Sequence, residues 1–503
     1  MDPITVALVV GILIAIIWMY SKNRKRYNLP PGPKGYPFIG NTLDLDVAGR
    51  PAWVFFTKLA KQYGDIFNFK LGYGIPENVI VLNNADAISK AFVHMDKINN
   101  KPNAWSFDFF TDGSRDISNG QPHDLVWKLM RTVTTAGLRK SLSLSDNKVQ
   151  AAADKGIEII RRNLEKPFNL KPILNLMICN IICDMLFNKQ FEADDQEFHD
   201  LYRSLDEMAK LFGNAGALED VIPLMKYIPY KYKMASTREA IDQYEHMMGF
   251  LRKQFYGHVA NFDPENLTDI TDYLIEAREN TRKEDPKLAD DFSDRHLVQI
   301  LNDIFAAGLD TSTQTIYWIM YFLAKHPEAQ KKIHAELDEH IGARRLKMAD
   351  KQQLVYCEAV MYEAMRLCPV LPITIRATSC DVQLDGFDFP KNCQVWANIY
   401  ACHHDSRVWD DPETFRPERF IHTDGKVVAR PNSWLPFSAG RRSCIGENVS
   451  KQHVFLFYTS LMQKFSIRFP DDSPVKTSPL SSNFVDHPTF CRSKQYDLIM
   501  SER

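Results

Sequence analysis

Residues 436–446 form the segment that most restricts what this chain can fold into. They read Pro-Phe-Ser-Ala-Gly-Arg-Arg-Ser-Cys-Ile-Gly, which places Phe437, Gly440, Arg442, Cys444 and Gly446 at fixed intervals. Five such positions match by chance in about one chain of this length in several thousand, since each residue type occupies about one position in twenty. The segment therefore indicates a specific loop built around Cys444, and not an ordinary buried cysteine in a turn.

A cysteine in such a loop has the properties of a thiolate ligand. A strongly donating thiolate must be protected from protonation, and backbone N–H groups aimed at the sulfur provide that protection. Gly440 and Gly446 allow the loop to fold tightly enough to aim them. An apolar run from Val449 to Tyr458 follows. If this run is a helix, its N-terminal end faces the sulfur and stabilises the anion further.

A second motif lies in a long helical pattern upstream of the cysteine loop. Residues 300–320 are helical by period, and Gly308 interrupts them at a cost of about 1 kcal/mol relative to alanine. A groove beside Ala307 and Gly308 would admit dioxygen and water. Asp310 and Thr311 then combine a carboxylate that exchanges protons with a hydroxyl that can pass them on. The alternative is a helix that merely carries a polar face.

Together these motifs resemble the signature of the cytochrome P-450 superfamily, and residues 434–447 resemble its animal microsomal branch. That branch commonly has glycine where this chain has Ser438. The resemblance implies haem b as the cofactor, with Cys444 as axial thiolate and with Asp310 and Thr311 as the catalytic acid and alcohol. It also implies a mainly α fold: a single large helical haem-thiolate domain with a small β region, plus an N-terminal transmembrane helix.

The resemblance also assigns residues that would hold the haem. Trp127 and Arg131, four apart on one helix face, resemble the family's W-x-x-x-R clamp on a haem propionate, although a surface Trp-Arg contact explains the pair equally well. The expected cofactor-binding residues are Trp127, Arg131, Ala307, Gly308, Arg376, Phe437, Gly440, Arg442, Cys444 and Gly446. Glu363, Arg366 and Arg419 resemble the E-x-x-R triad, which we assign to folding and haem retention.

The N-terminal segment predicts a membrane anchor. Residues 4–20 are apolar apart from Thr5 and the Gly11 break, which is at the short limit for spanning a bilayer. Basic residues follow at 22–26 and should stay in the cytosol. A cleaved signal peptide would have its basic region first and a small-residue cleavage site after the apolar core. The reversed order favours a retained anchor.

Three regions follow from these patterns: an N-terminal anchor at 1–26, a proline-rich hinge at 27–50, and a catalytic domain at 51–503. Helical patterns cover 51–63, 84–94, 123–138, 146–163, 171–187, 197–212, 236–260, 293–325, 327–340 and 351–367. Short β-rich pieces cover 65–71, 78–82, 373–377, 381–384 and 393–397. The polar segment 261–292 is predicted to be an exposed connection.

The resemblance places the substrate pocket in stretches rich in apolar side chains, among them Phe109, Phe110 and Phe305. Such a pocket suits a lipophilic small molecule. Segments 302–305 and 354–376 look most like steroid 17-alpha-hydroxylase and related xenobiotic-oxidising members, so a steroid-like substrate is favoured. The alternatives are a xenobiotic- or fatty-acid-oxidising monooxygenase and, with less support, a haem-thiolate isomerase or a non-catalytic haem or lipid-binding sensor.

The need for a redox partner is inferred from the length of the chain. No flavin or nicotinamide domain fits in the remaining length, so electrons must come from a separate protein. The resemblance implies NADPH-cytochrome P-450 reductase at the endoplasmic reticulum membrane, with cytochrome b5 as a further candidate donor. The net charge of −2 gives no indication of nucleic acid.

Two surface features remain open in the sequence. Five basic residues on the expected electron-accepting side could meet an acidic flavoprotein or form a solvated face: Lys128, Arg139, Lys140, Arg441 and Lys451. Within the segment 205–240, residues 222–230 could dip into the membrane or form an ordinary apolar loop.

Overall fold

The computed structural model places most of the chain. The described residues are 27–36, 39–47, 51–72, 77–102, 104–113, 115–213, 227–426, 430–478 and 490–503, with Gly11, Met225, Leu480 and Phe484. Apart from Gly11, the predicted anchor at 4–20 lies outside these residues, and so do residues 222–224 and 226 of the segment 222–230, for which a membrane contact and an ordinary loop were both considered. None of the described helices is long and apolar enough to cross a membrane.

Helices account for most of the described chain. In chain order they are α1 (Thr42–Val47), α2 (Ala52–Tyr63), α3 (Ala85–Phe92), α4 (Trp105–Phe110), α5 (Leu125–Arg161), α6 (Lys171–Phe187), α7 (Gln196–Gly213), α8 (Ala235–Ala260), α9 (Ile270–Glu284), α10 (Pro286–Asp291), α11 (Asp294–Lys325), α12 (Pro327–His340), α13 (Val355–Leu367), α14 (Ile399–His403) and α15 (Glu447–Lys464). The predicted helices that correspond to α2, α6, α7, α8, α11 and α12 agree with these bounds to within one residue at each end.

The strands form small sheets at the side of the helical body. They are β1 (Ile66–Leu71), β2 (Glu77–Leu82), β3 (Ile373–Ala377), β4 (Val382–Leu384), β5 (Phe387–Phe389), β6 (Gln394–Asn398), β7 (Phe465–Arg468) and β8 (Ile499–Glu502). The largest sheet has the order β1-β2-β6-β3, in which only β2 and β6 run parallel. Its strand β3 brings Arg376 into the interior of the protein.

Helix α11 is the central element of the core. It packs against α6, α8, α13 and α15. Its stretch from Ile316 to Leu323 is buried on every side, so a run of large apolar residues suits it better than a single apolar stripe. The helix begins with a capping box in which Ser293 and His296 satisfy each other's backbone N–H groups. The centre of α11 is therefore held rigidly through the middle of the domain.

Helix α6 is a buried helix whose C-terminal end is marked by an asparagine. It is apolar around its whole circumference, and Cys179 and Cys183 are buried with their sulfur atoms 4.0 Å apart. Both cysteines are core residues. The helix ends where Asn188 adopts a left-handed φ of 51° and its N–H donates to the Asp184 carbonyl. Asparagine tolerates this conformation better than most residues.

The prediction that residues 261–292 form an exposed connection is wrong. This segment contains α9 and α10, and α9 begins with Asp269 as its N-cap. The buried residues Ile270, Leu274 and Arg278 recur every four positions on one face of α9. The many charged residues on the other face concealed this helical period in the sequence.

The patterns predicted as two separate helices at 123–138 and 146–163 form one continuous helix, α5.

The junction between α8 and α9 contains a histidine–carboxylate pair. One ring nitrogen of His258 faces the Gln254 carbonyl at 2.9 Å, and the other faces the Asp269 carboxylate at 2.8 Å. The hydrogen bond to Asp269 is the main reason that the pKa of His258 is raised to about 9. Both ring nitrogens therefore donate as an imidazolium, which ties the end of α8 to the start of α9.

This pair makes stability depend on pH in a defined direction. Because its folded pKa lies above the ordinary 6.5, His258 stabilises the fold fully below pH 6.5, and the contribution is lost as pH rises through about 9. We expect His258→Gln to lower the thermal unfolding midpoint by about 2–4 °C at pH 6, which corresponds to about 2 kcal/mol, and by much less at pH 9.5. The measurement is unfolding followed by circular dichroism, with the exposed His340→Gln as control. A difference that does not change with pH would contradict the assignment.

Candidate functional site

The loop around Cys444 is closed by its own backbone. The Cys444 N–H donates to the Phe437 carbonyl at 3.0 Å, so the two ends of the motif lie against each other. Helix α15 begins at Glu447 with Gly446 as its N-cap. The helix considered after the cysteine is thus present. Its N-terminal end lies three residues beyond Cys444, where the helix dipole favours negative charge.

Two residues of the loop have left-handed backbone. Gly440 has a φ of 72°, and a Cβ there would lie 1.9 Å from the Phe92 carbonyl oxygen. Glycine is therefore required at this position by both conformation and space. Ser438 has a φ of 60°, which costs about 1–2 kcal/mol for a residue other than glycine. Its Oγ lies 3.4 Å from the Thr374 Oγ1, a contact that a glycine could not make.

Cys444 differs from the other cysteines in its accessibility. All nine cysteines are free, and Cys444 is exposed, whereas seven others are buried. The protein atoms packed around the thiol nevertheless raise its pKa, while the Gly446 N–H and the charge of Arg131 act in the opposite direction. The predicted backbone donor to sulfur is therefore provided by Gly446. The sulfur is therefore accessible, and the Gly446 N–H and Arg131 partly offset the burial and the Glu447 charge, which favour the protonated thiol.

Four basic side chains lie together beside this loop: Lys101, Arg131, Arg376 and Arg442. The three guanidinium groups donate to neutral acceptors, which are the carbonyl oxygens of Phe92, Asn99, Ser118, Gly120, Ala439 and Ser443 and the side-chain oxygen of Asn99. Within the described part of the chain, no carboxylate forms an ion pair with any of the three. Asp116 is a nearby carboxylate that offsets part of their charge, so the cluster holds more positive than negative charge.

Burial and the excess of positive charge lower pKa values in this cluster. Burial, followed by repulsion from neighbouring guanidinium groups, lowers the pKa of Lys101 to about 7, that of Arg376 to about 9 and that of Arg442 to about 10. Asp116 opposes this effect at Lys101 and Arg442. Burying uncompensated charge is costly, so a bound anionic group would stabilise this arrangement strongly.

Trp127 lies between two of these cations. Its ring centre is 4.6 Å from the Arg442 guanidinium and 5.4 Å from that of Arg131. Its indole N–H donates to the Ile117 carbonyl at 2.9 Å. The structure thus brings the predicted pair Trp127 and Arg131 to the cysteine loop. Within the chain, however, the indole N–H already has an acceptor, and the ring contributes through its face.

Helix α11 carries the predicted acid and alcohol side by side. The Thr311 hydroxyl donates to the Ala307 carbonyl one turn earlier, at 2.7 Å. The Asp310 carboxylate accepts a hydrogen bond from Arg492 at 2.9 Å. Both side chains remain partly accessible. The pair therefore has a hydroxyl bound to the helix backbone and a carboxylate bound to a cation.

The surroundings of this pair differ in part from the sequence expectation. Helix α11 is continuous through Gly308, where a Cβ would lie 2.9 Å from Ile182 of α6, so the glycine also allows these helices to pack closely. Phe305, which was expected to line the pocket, is fully buried, and its ring packs 6.4 Å from that of Phe250 on α8. It is part of the buried core, and its place in the pocket stays a prediction. Ala307 is the exposed residue of this turn.

Comparison with known proteins decides the family. The model of the cytochrome P450 family matches residues 30–490. The chain belongs to the cytochrome P450 family. It is 31% identical to cytochrome P450 1A1 of Canis lupus familiaris, over 91% of this chain and 88% of that protein. It is 30% identical to cytochrome P450 2J5 of Mus musculus, with 92% and 90% covered, and 29% identical to cytochrome P450 1A5 of Gallus gallus, with 96% and 93% covered.

Membership settles the class of chemistry and the cofactor. Cytochrome P450 proteins are monooxygenases that bind haem b through a cysteine thiolate, and this cytochrome P450 is such an enzyme. The structure fits that cofactor on two independent grounds. Cys444 presents an accessible sulfur at a helix N-terminus, and the four cations beside the loop outnumber the carboxylate of Asp116 that acts on them. Haem b carries two propionates, which are anions suited to that cluster.

The predicted ion triad of this cytochrome P450 is confirmed as a contact. Glu363 accepts from Arg366 at 2.7 and 2.9 Å and from Arg419 at 3.0 Å. Glu363 and Arg366 are fully buried. A further hydrogen bond comes from the Arg416 N–H at 2.9 Å. The group joins α13 to the segment that leads to the cysteine loop.

Two charged residues near the site were not predicted from the sequence. Lys101 has no motif of its own, and only its position beside Arg376 and Arg442 reveals it. Arg492 lies in a C-terminal segment without a recognisable pattern, yet it contacts Asp310. The only local signal was a basic residue next to proline or in an apolar region. That signal is too common to identify a site.

Proposed function

We propose that this cytochrome P450 hydroxylates a lipophilic small molecule, using O2 and electrons from a separate NADPH-dependent reductase. The observation that carries the proposal is the combination of Asp310 and Thr311 on α11 with a complete loop around Cys444. Oxygen insertion consumes two protons for each O2, and a neighbouring acid and alcohol suit that requirement. An isomerase or a non-catalytic sensor does not need this pair.

Each part of the cysteine loop has a proposed role in holding the haem. Cys444 would bind the iron, Phe437 and Gly446 would position its sulfur, and Gly440 lets the loop approach α3. Arg131, Arg376 and Arg442, together with Lys101, would neutralise the propionates, and Trp127 packs against two of these arginines. The bound haem supplies the iron at which O2 is reduced.

The residues of α11 handle the protons. Thr311 holds a hydroxyl at an accessible position beside Ala307 and Gly308, where it can accept one proton and donate another. Asp310 exchanges protons with solvent and resupplies that hydroxyl. The overall balance is one O2, two electrons and two protons consumed per hydroxylated product and water formed. The contribution of these protein side chains to the reaction is thus proton delivery.

Substitution of the pair tests this assignment. We expect product formation to require both O2 and NADPH, and Asp310→Asn and Thr311→Ala each to lower product per NADPH by about tenfold or more, since a positioned acid–base group contributes about 10²–10⁴-fold. Thr132→Ala is the matched control, because the Thr132 hydroxyl also donates to the carbonyl one turn earlier, on α5. All variants should keep the carbon-monoxide difference spectrum of the wild type. Undiminished product in both α11 variants would remove the pair from the reaction.

The substrate proposal rests on apolar surroundings. One aromatic group of the described chain combines Trp105 and Phe109, whose rings stack 5.4 Å apart, with Phe110 and Tyr244, whose rings are 5.2 Å apart. These surfaces favour a lipophilic molecule. The steroid-like preference rests only on resemblance in segments 302–305 and 354–376, and the names of the relatives specify no substrate. A panel of steroids, fatty acids and drugs, assayed for shifts in the haem spin state, decides among these substrate classes. Spin-state shifts with the other classes and none with steroids would exclude the steroid preference.

The proposed membrane location has support from two separate parts of the chain. The sequence at 4–20 is apolar and precedes a basic cluster. Before α8, the described surface exposes Tyr227, Tyr230, Tyr232 and Met234. Aromatic side chains with polar tips suit a membrane interface. We infer a retained anchor in the endoplasmic reticulum membrane, with the catalytic domain in the cytosol.

The proposed docking site for the reductase lies on the Cys444 side of the protein. A cleft of about 220 Å³ there is lined by Arg131, Arg139, Cys444 and Glu447, among others. Three of the five predicted basic residues are already paired within the chain: Lys140 with Glu276, Arg441 with Asp96 and Lys451 with Glu447. Lys128 and Arg139 have no ion pair in the described residues, so they are the cations best placed to meet an acidic partner such as the reductase or cytochrome b5.

A further inference from the structure

The carboxylate of Glu447 lies next to the cysteine loop and is paired with two cations. Glu447 is the first residue of α15, three positions after Cys444, and the two residues line the same cleft. One oxygen of the carboxylate, Oε1, accepts from Arg430 at 2.8 Å and from Lys451 at 2.7 Å. In this charged group, two positive charges therefore face one negative charge beside the proposed iron ligand.

Both cations of the charged group also contact aromatic rings at the start of the cysteine loop. The Arg430 guanidinium lies 5.1 Å from the centre of the Trp434 ring, and the Lys451 Nζ lies 5.9 Å from the centre of the Phe437 ring. The Trp434 indole N–H donates to the Tyr362 carbonyl on α13 at 3.1 Å. The two positive charges are thus held at defined positions relative to the loop, unlike those of an isolated surface ion pair.

The charged group is only partly exposed to solvent. The side chain of Lys451 is 12% exposed, that of Glu447 29% and that of Arg430 39%. Burial acts to raise the pKa of Glu447, but the hydrogen bonds from Lys451 and Arg430 together lower it, so the carboxylate is ionised at neutral pH. Partly buried charges are screened less by salt than exposed ones. The charge of Glu447 therefore acts on the neighbouring Cys444.

We infer that Glu447 is a positioning residue that, together with Arg430 and Lys451, sets the reduction potential of the thiolate-bound haem. The inference rests on the proposed role of Cys444 as the iron ligand. Reduction adds one negative charge at the haem, so a nearby anion opposes it and a nearby cation favours it. Glu447 opposes reduction, and its two partners offset that effect. The balance of the three charges decides how readily the enzyme accepts an electron from its reductase.

A group that only fastened the start of α15 would make the same contacts. An acid in the first turn of a helix stabilises that helix through its dipole, and Arg430 would then tie the loop to it. Loss of any member would loosen the loop in the same way. The electrostatic role predicts instead that removal of the acid and removal of a cation shift the potential in opposite directions. The sign of the shift therefore separates the two roles.

The experiment measures the reduction potential of the haem-loaded full chain by spectroelectrochemical titration of Glu447→Gln, Arg430→Gln and Lys451→Gln. We expect Glu447→Gln to favour the reduced form by about three- to tenfold, where tenfold is about 59 mV for one electron. Arg430→Gln and Lys451→Gln should favour the oxidised form by a similar factor. The effect should be larger for Lys451, which is the less exposed cation.

Glu328→Gln and Lys332→Gln are the matched controls. Glu328 is an acid in the first turn of α12, and Lys332 follows it at the same four-residue spacing that separates Glu447 from Lys451. Glu328 pairs with His326 at 3.0 Å, and Lys332 pairs with Glu418. Both controls should leave the potential unchanged. The carbon-monoxide difference spectrum of each variant shows whether a thiolate is still the ligand.

The double variant Glu447→Gln/Arg430→Gln gives the decisive result. It should return the potential towards that of the wild type, because both proteins have one net positive charge in the group. Shifts of the same sign in Glu447→Gln and Arg430→Gln would overturn the inference. So would unshifted potentials in variants that keep the thiolate band, and the proposed function would then stand. A wild-type protein without that band would overturn both. If Glu447→Gln fails to retain haem, Arg430→Gln and Lys451→Gln are judged by the sign of their shifts.

Discussion

A Cys444→Ser variant is expected to lose the carbon-monoxide band of a thiolate-bound haem and to lower product formation by more than about a hundredfold. That factor is the upper range for removing an outer-shell partner of a metal ligand, and removing the ligand itself costs more. Serine keeps the size of the side chain and the N–H bond to Phe437, so the loop should close as in the wild type. A neutral hydroxyl cannot donate electron density to the iron as a thiolate does.

The measurement for Cys444 is the difference spectrum of the reduced protein with carbon monoxide, followed by product assays with reductase. Cys380→Ser is the matched control, since Cys380 is the other cysteine that is not buried. It should leave both readouts unchanged. If Cys444→Ser retained the thiolate band, another residue would have to be the ligand, and the interpretation of the whole loop would be wrong.

Removal of Glu363 is expected to have the largest effect on stability. Glu363→Ala leaves the fully buried Arg366, and Arg419 beside it, without their carboxylate. Breaking a buried ion pair by removing one partner costs about 3–5 kcal/mol, because an uncompensated charge stays buried. We expect a lower unfolding midpoint and a several-fold lower yield of haem-containing protein. Glu363→Gln, which keeps the shape and some hydrogen bonds, should lie between Glu363→Ala and the wild type.

The control for Glu363 is a carboxylate in an exposed pair. Glu502 pairs with Arg161 at 2.8 Å, and both side chains are about half exposed. Glu502→Ala should cost no more than about 1 kcal/mol, since solvent screens such pairs. Equal midpoints for Glu363→Ala and Glu502→Ala would show that the buried group does not stabilise the fold. If Glu363→Ala kept full haem content but lost activity, the triad would belong to catalysis instead.

Local periodicity predicted most of the helical framework, and its failures have identifiable causes. Helix α6 was predicted at its observed bounds because an apolar run with a left-handed asparagine after it is a local signal. Helix α9 was missed because its buried face is narrow and its other face carries many charges. The continuity of α5 through its serine-rich middle was missed as well. In both helices, packing against neighbouring elements overrides weak local preference.

The sequence by itself determined the cysteine loop and the acid–alcohol pair. Their residues are adjacent in the chain, so spacing alone encodes their geometry, as in the contact between Cys444 and Phe437. The resemblance named Arg131, Arg376 and Arg442, but only the tertiary structure showed that they lie together and that Lys101 joins them, because the four residues come from separate segments. Only it joined Arg492 to Asp310 and Asp206. Such electrostatic groups depend on distances in space, and charges that are far apart in sequence interact strongly only after folding has brought them together and excluded water.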